Sequence, residues 1–237
     1  MKKAEKKRYG FGVVLGVLLG VGAAGWAQSA FSRTEAGREI EADLRIVVWT
    51  HDYAGVGRGT LDRAEKEMTR ILEEAGIETA WVDCPVPAIG PGWHPANSEP
   101  VGSARIHINI VPRSMEAHYP VTREALGFTS FVKEGVRTSL ATVFYDRVKD
   151  ETQHTTASLA QILAYAIAHE LGHLLLRTSG HAPSGIMHAR WTPEDLVLVA
   201  CRELLFTPEQ AELMRVEVRA RAQESAVAEP STATASK

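Results

Sequence analysis

The chain has 237 residues, 45% of them hydrophobic, and its 26 Lys and Arg residues nearly balance its 29 Asp and Glu residues, for a net charge of −3. No basic stripe with interleaved aromatic residues occurs, so the composition argues against a nucleic-acid partner. Residues 44–222 carry a periodic apolar pattern and have the length of one ordinary domain.

The N-terminus has the pattern of an export signal. Its first residues include a basic cluster formed by Lys2, Lys3, Lys6, Lys7 and Arg8. An apolar, Gly-rich stretch follows over 10–27 and ends in the small residues Gly25 and Ala27, so we predict a signal peptide over 1–27 with cleavage after Ala27. The stretch is also long enough for an uncleaved membrane anchor, which is the alternative. In both cases the rest of the chain would be exported, as a secreted or periplasmic protein after cleavage or as a membrane-anchored protein without it.

The flanks of the domain are predicted to lack a packed core. Residues 28–43 form a polar lead-in, and residues 223–237 contain no large apolar residue beyond Val227, which predicts a disordered tail. Cys84 and Cys201 would both remain after export, where a disulfide between them or two free thiols are the alternatives.

The domain begins with a strand, a helix and a strand. Residues 44–52, LRIVVWTHD, are apolar and rich in β-branched residues, which predicts a buried strand. Thr60 is then expected to cap a helix that Gly76 ends. Residues 78–84, ETAWVDC, predict the next strand, so the unit would be a right-handed crossover with parallel pairing. The apolar face of the helix comprises Leu61, Ala64, Met68, Ile71, Leu72 and Ala75.

Three more strands are predicted between residues 104 and 148, after an irregular loop. The Pro- and Gly-rich segment 85–103 predicts an irregular loop, in which His94 is interpreted as a surface residue. Strands are then predicted at 104–112, ARIHINIVP, at 125–132, ALGFTSFV, and at 137–148, RTSLATVFYDRV. The first of these alternates, with Ile106, Ile108 and Ile110 on one face and His107 and Asn109 on the other.

The run HELGH, formed by His169, Glu170 and His173 at its informative positions, is the strongest functional signal. On a helix, residues four apart lie on the same face, so the two imidazoles can converge on one metal ion. Glu170 beside them suits a general base that acts on a metal-activated water. Two core histidines without a metal are the alternative, but that reading leaves a charged Glu buried without a partner.

The surroundings predict that this run lies on a central helix. The preceding SLAQILAYAIA is apolar nearly all round, as expected for a helix in the middle of a domain. Ser158 and Gln161 offer a capping box at its start, and Gly180 is placed to end it.

His181 is the best candidate for a third metal ligand, since it follows the expected end of the helix. Met187 comes six residues later in SGIMHARW. A zinc helix, a third His and a Met loop resemble the metzincin clan of zinc peptidases, in which a Met-turn lies under the metal. The usual motif of that clan is HExxHxxGxxH, whereas this chain reads HELGHLLLRTSGH, with the Gly displaced and two additional residues before the third His.

The resemblance implies an α/β (α+β) domain with a twisted, mostly parallel sheet of about four or five strands, an antiparallel edge strand, a backing helix, a central zinc helix and C-terminal helices. Those last helices are expected near 193–205 and 208–222. The edge strand would contain Leu126, Gly127 and Phe128 and would hold a peptide or protein substrate by β-augmentation. One zinc ion per chain and hydrolysis of peptide bonds are what the resemblance implies for cofactor and activity.

An acid on the following helix is the competing third ligand. Glu194 lies 21 residues after His173, with Asp195 beside it, close to where thermolysin-like gluzincins place a Glu. However, Thr192, Pro193, Glu194 and Asp195 also have the pattern of an N-cap, a Pro at the first helical position and an acidic first turn.

One further functional alternative stays open. A non-catalytic zinc-binding interaction module would use the same fold, but a structural zinc site is usually closed by a fourth protein ligand and has no use for Glu170. His188 could be that ligand, could stabilise an oxyanion, or could face solvent, which is the expected case. Tyr145 and Trp191 are expected to be core anchors rather than cavity linings. The oligomeric state and the cleavage preference do not follow from these patterns.

Overall fold

A five-stranded sheet forms the frame of the described part of the chain, which in this computed structural model comprises residues 44–86, 105–129 and 139–228. The strands are β1 (Arg45–Asp52), β2 (Glu78–Cys84), β3 (Arg105–Val111), β4 (Gly127–Thr129) and β5 (Leu140–Phe144). They lie in the order β2-β1-β3-β5-β4. All neighbours pair in parallel except β4, which runs antiparallel to β5 at the edge. The predicted mostly parallel sheet with an antiparallel edge strand is therefore confirmed.

Five α-helices accompany the described strands: α1 (Arg58–Glu74), α2 (Tyr145–Glu151), α3 (Leu159–Leu176), α4 (Pro193–Cys201) and α5 (Pro208–Ala228). Short 3-10 helices occupy Arg113–His118 and Thr152–His154. The helices α1 and α3 share one buried cluster with the inward face of the sheet, where the three isoleucines of β3 have no exposed surface. The alternation predicted for β3 thus places its apolar face in the core.

The helix α3 is the centre of the domain. Ser158 and Gln161 form the expected capping box at its start. By length and composition α3 could cross a membrane, but 78% of it is buried inside the domain, so it is a core helix. It ends at Leu176 rather than at Gly180, because Arg177 adopts a left-handed conformation with φ 53° and its N–H donates to the His173 carbonyl.

Other boundaries also differ from the predictions. The helix α1 begins before Thr60, whose N–H already donates to the Gly57 carbonyl over 2.7 Å. The strand predicted at 137–148 ends at Phe144, and α2 follows because its buried Val148 packs into the core at helical spacing.

The C-terminal helices differ from the predictions in their ends. The helix α4 ends at Cys201, where Arg202 turns left-handed with φ 63°, instead of reaching residue 205. The helix α5 runs on to Ala228, so the predicted tail would begin later than residue 223.

Other predictions fall outside the described residues. These include the signal peptide or anchor, the lead-in 28–43, His94 and the last nine residues. Both cysteines are free thiols in the structure, with Cys84 partly buried at the end of β2 and Cys201 exposed at the end of α4.

The carboxyl groups of Glu65 on α1 and Asp83 on β2 lie close together and predict that the stability of the fold depends on pH. Burial, followed by the charges of Asp83 and Asp62, raises the pKa of Glu65 from 4.5 to about 7. The group therefore ionises more easily in the unfolded chain, and the stability that its protonated form contributes is lost as the pH rises through 7. We expect Glu65→Gln to raise the melting temperature relative to wild type more at pH 8 than at pH 5, with Glu73→Gln as the exposed control. An equal effect at both pH values would contradict this origin.

Candidate metal centre

Three imidazoles converge at the C-terminal half of α3. His169 and His173 lie on successive turns of the helix, with their Nε2 atoms 3.1 Å apart. His181 reaches the same point from the loop that follows the helix, and one ligand atom from each residue lies within 4.8 Å of the other two. The predicted third histidine is therefore brought to the two helical ones despite the two additional residues in the motif.

Backbone carbonyls fix the orientation of the two helical rings. The Nδ1 of His169 donates to the Ile186 carbonyl over 2.7 Å, and the Nδ1 of His173 donates to the Thr178 carbonyl over the same distance. In these tautomers each Nε2 carries the lone pair, so both rings present a metal-binding nitrogen to the same space.

The electrostatics of the three rings suit a cation ligand set. Burial lowers the pKa of His169 to about 4, and burial also lowers the pKa of His173 and of His181. The rings therefore stay neutral near neutral pH, which is the form that binds a metal. Three neutral imidazoles that leave one side open fit a zinc ion of the catalytic type.

The loop after His181 closes beneath the helix. Its two ends are joined by a hydrogen bond of 2.7 Å from the Ala182 N–H to the Met187 carbonyl. Met187 is 1% exposed, and a Cβ added at Gly172 would collide with its thioether. The Gly of HELGH is thus required for the close approach of this Met to the turn of α3 that carries His173.

Glu170 faces away from this loop, towards the edge strand. Its carboxylate Oε2 accepts a hydrogen bond of 2.8 Å from the Thr129 hydroxyl of β4. A Cβ at Gly127 would lie 2.5 Å from Oε1 of Glu170, so only Gly leaves this space free. Burial raises the pKa of Glu170 to about 8, and the hydrogen bond from Thr129 opposes the rise. A cation on the histidines would lower this pKa and favour the carboxylate.

A cavity of about 560 Å³ opens in front of the histidines and Glu170. One wall is the segment leading into β4 together with the strand, including the predicted Leu126, Gly127 and Phe128. The opposite wall is the stretch 188–191, where Trp191 lines the cavity and also packs against the core, as expected. Tyr145 packs against the core, as expected.

His188 is held by an acid rather than left to solvent. Its Nδ1 lies 2.8 Å from Oδ2 of Asp195, and the ring lines the cavity. Asp195 also accepts from the Thr192 N–H over 2.9 Å as part of a capping box, so the predicted helix start and the His188 contact share one carboxylate. Among the described residues, the group able to hold a metal contains neither Glu194 nor Asp195, and Glu194 is exposed in the first turn of α4.

The contacts that sequence patterns did not indicate are long-range. Thr129 lies 41 residues before Glu170, and the carbonyl of Ile186 lies 17 residues after His169. Two sequence features could have indicated the contact to Glu170: the small residue Gly127, and Thr129 two positions later. Both lie in the strand predicted to lie beside the substrate.

For the zinc peptidase that the sequence predicts, loss of the Thr129 hydroxyl should weaken catalysis without affecting the metal. In Thr129→Val the volume is kept but Glu170 loses the donor that positions it, so we expect turnover on a peptide to fall about 10- to 100-fold with unchanged zinc content. Turnover and zinc per chain measured on the same preparation test this, with the exposed Thr156→Val as control. Full activity in Thr129→Val would show that this hydrogen bond does not position the base.

Among known proteins, only solved structures gave matches to this chain. No family model and no curated protein matches the sequence. Three chains of solved structures match, one of them a zinc-dependent peptidase from Methanocorpusculum labreanum (strain Z). It is 14% identical, with a TM-score of 0.48 over 71% of this chain and 99% of that chain. A likeness of this degree leaves the function to be derived from the residues of this chain.

Proposed function

We propose that this protein is an exported zinc-dependent peptidase in which His169, His173 and His181 hold the metal and Glu170 is the general base. The observation that carries the proposal is the buried carboxylate of Glu170, which lies beside three converging imidazoles at the edge of an open cavity. This carboxylate is hydrogen-bonded to Thr129 and not to any of the three imidazoles. A purely structural zinc site would be closed by a fourth ligand and would not require this carboxylate.

Zinc in this position would polarise a peptide carbonyl and make a water molecule acidic enough to attack it. Glu170 would take the proton of that water on its carboxylate and later deliver it to the leaving amine. Thr129 holds one carboxylate oxygen at 2.8 Å, which leaves the other free for the proton transfer. A second group in the cavity, His188, is held in place by Asp195. Its ring could therefore hydrogen-bond to the peptide oxygen on which negative charge develops during the reaction.

The edge strand β4 supplies a surface for the substrate main chain. It pairs on one side with β5, and no described strand pairs with its other side. An extended peptide could add to that side by β-augmentation, next to Leu126, Gly127 and Phe128. Gly127 has no side chain, so main chain and Glu170 can approach each other closely here.

A metzincin-type site is the finer form of the proposal. His181 would be the displaced third ligand, and Met187 would form the apolar floor of a Met-turn. The burial of Met187 against Gly172 supports this assignment.

Zinc content and peptide cleavage test the function together. Elemental analysis after dialysis at neutral pH should give about one zinc per chain. A chelator should abolish cleavage of a peptide library, and added zinc should restore it. A zinc content near zero that added zinc does not raise would refute the metal site, and a zinc-loaded protein that cleaves no peptide would refute the peptidase.

Export is tested separately. The mature protein recovered outside the cytoplasm should begin at Gln28 if the signal peptide is cleaved after Ala27. A membrane-bound chain that keeps residues 1–27 would favour the anchor instead.

A further inference from the structure

The helix α2 supports one wall of the cavity and contributes a residue to it. Arg147 donates from Nη1 to the carbonyls of Thr122 and Ala125, each over 2.7 Å, and both acceptors belong to the segment that lines the cavity ahead of β4. Glu151 lies one turn after Arg147 on the same side of α2. Glu151 is itself one of the residues that line the cavity, so α2 contributes an acidic residue to the wall in front of the histidines.

The Glu151 carboxylate has no neutralising partner in the part of the chain that the structure describes. Within residues 44–86, 105–129 and 139–228 it has neither an ion-pair nor a hydrogen-bond partner. The nearby cation Arg147 is already paired with Glu116 over 2.9 Å. Of the other charged residues that line the cavity, Glu124 and Arg190 lie 4.0 Å from each other and offset one another, whereas Glu170 is held by Thr129 beside the histidines. Among the described residues, Glu151 is therefore the acidic residue of the cavity wall that is available to pair with a cation of the substrate.

The other linings suit a long side chain with a cationic end. Ala166 lies one turn before Glu170 on α3, and its methyl group leaves room in the cavity. Trp191 offers the face or edge of an indole, which packs well against the methylene stem of Lys or Arg and attracts the cation.

We propose that the cavity selects peptides with a Lys or Arg residue next to the bond that is cleaved, with the cation facing Glu151. This inference rests on the proposed peptidase function and adds the substrate class to it. A bidentate contact from Arg to a carboxylate is the strongest form of such a pair, so Arg is the preferred residue.

A binding measurement tests the inference without requiring turnover. The probes are the hydroxamates of N-acetylarginine and N-acetylcitrulline, which share one chelating group and nearly one shape but differ in charge. On the zinc-loaded mature protein at low salt we expect the arginine probe to bind about tenfold more tightly, with the ratio falling as salt is added. In Glu151→Gln the ratio should approach one while the citrulline probe binds as in wild type. In the control Glu194→Gln, which removes an exposed carboxylate outside the cavity, the ratio should stay near the wild-type value.

The outcomes separate the two proposals. A wild-type ratio near one, an unchanged ratio in Glu151→Gln, or a ratio lost in Glu194→Gln would overturn the role of Glu151. Arginine selectivity that depends on Glu151 in a protein that hydrolyses no peptide would support this subsite and reject the peptidase. Peptide cleavage with no preference for basic residues would support the peptidase and reject the subsite at Glu151. Failure of both probes to bind would overturn both the peptidase and the subsite.

Discussion

Replacing Glu170 with Gln is expected to lower peptide turnover by about 10²- to 10⁴-fold while the zinc stays bound. Gln keeps the shape of the side chain and can still accept the hydrogen bond from Thr129 through its amide oxygen, but it cannot take up a proton. The three imidazoles are untouched by the change, because none of them is hydrogen-bonded to Glu170. Turnover and zinc per chain measured together decide the outcome.

The control for this change is Glu194→Gln, which removes a carboxylate that is exposed and outside the cavity. It should have wild-type turnover. If Glu170→Gln cleaved peptides at a rate close to that of the wild type, Glu170 would not be the general base, and loss of zinc in this variant would make the residue part of the metal site instead.

Replacing His181 with Ala is expected to weaken zinc binding by orders of magnitude, because the site loses one of three strong bonds. Neither helical histidine changes, and the loop from Ala182 to Met187 keeps its own hydrogen bond of 2.7 Å. The expected defect is therefore one of affinity rather than of folding. A competition titration against a chelator of known affinity measures it, and circular dichroism checks the fold.

The matched variant is Glu194→Ala, which tests the gluzincin alternative. Its cost should be only the interaction of one acid with the first turn of α4, about 0.3–1 kcal/mol of stability. A chain that retained zinc in His181→Ala and lost it in Glu194→Ala would have its third ligand on α4, against the arrangement proposed here.

Local patterns predicted what depends on neighbours in the sequence. The capping box at Ser158, the pairing of His169 with His173 and the alternation in β3 all follow from spacings of two to four residues. His181 was also predicted, because a short loop after a helix can return its next side chain to the helix end.

Features that depend on distant contacts or on unusual backbone were not predicted. The end of α3 is set by Arg177 in a conformation that Gly usually supplies, so the pattern pointed to Gly180 instead. The helix α2 was missed because RTSLATVFYDRV is rich in β-branched and aromatic residues up to Phe144, and the helical spacing after it covers only seven residues. The contact from Thr129 to Glu170 joins two elements whose packing no local pattern describes.

The contact between α5 and the last turn of α3 bears on when the metal can be acquired. Arg221, 3% exposed, donates to the Leu174 carbonyl over 3.3 Å and to Glu217 over 2.9 Å. Leu174 directly follows His173, so the helical turn that carries His173 is supported by Arg221. Arg221 lies 40 positions after His181 in the chain. A nascent chain that has just completed its three histidines still lacks this support. Metal loading is therefore expected to follow completion of synthesis, and a chain that stops before residue 221 should fill its site poorly although every ligand is present.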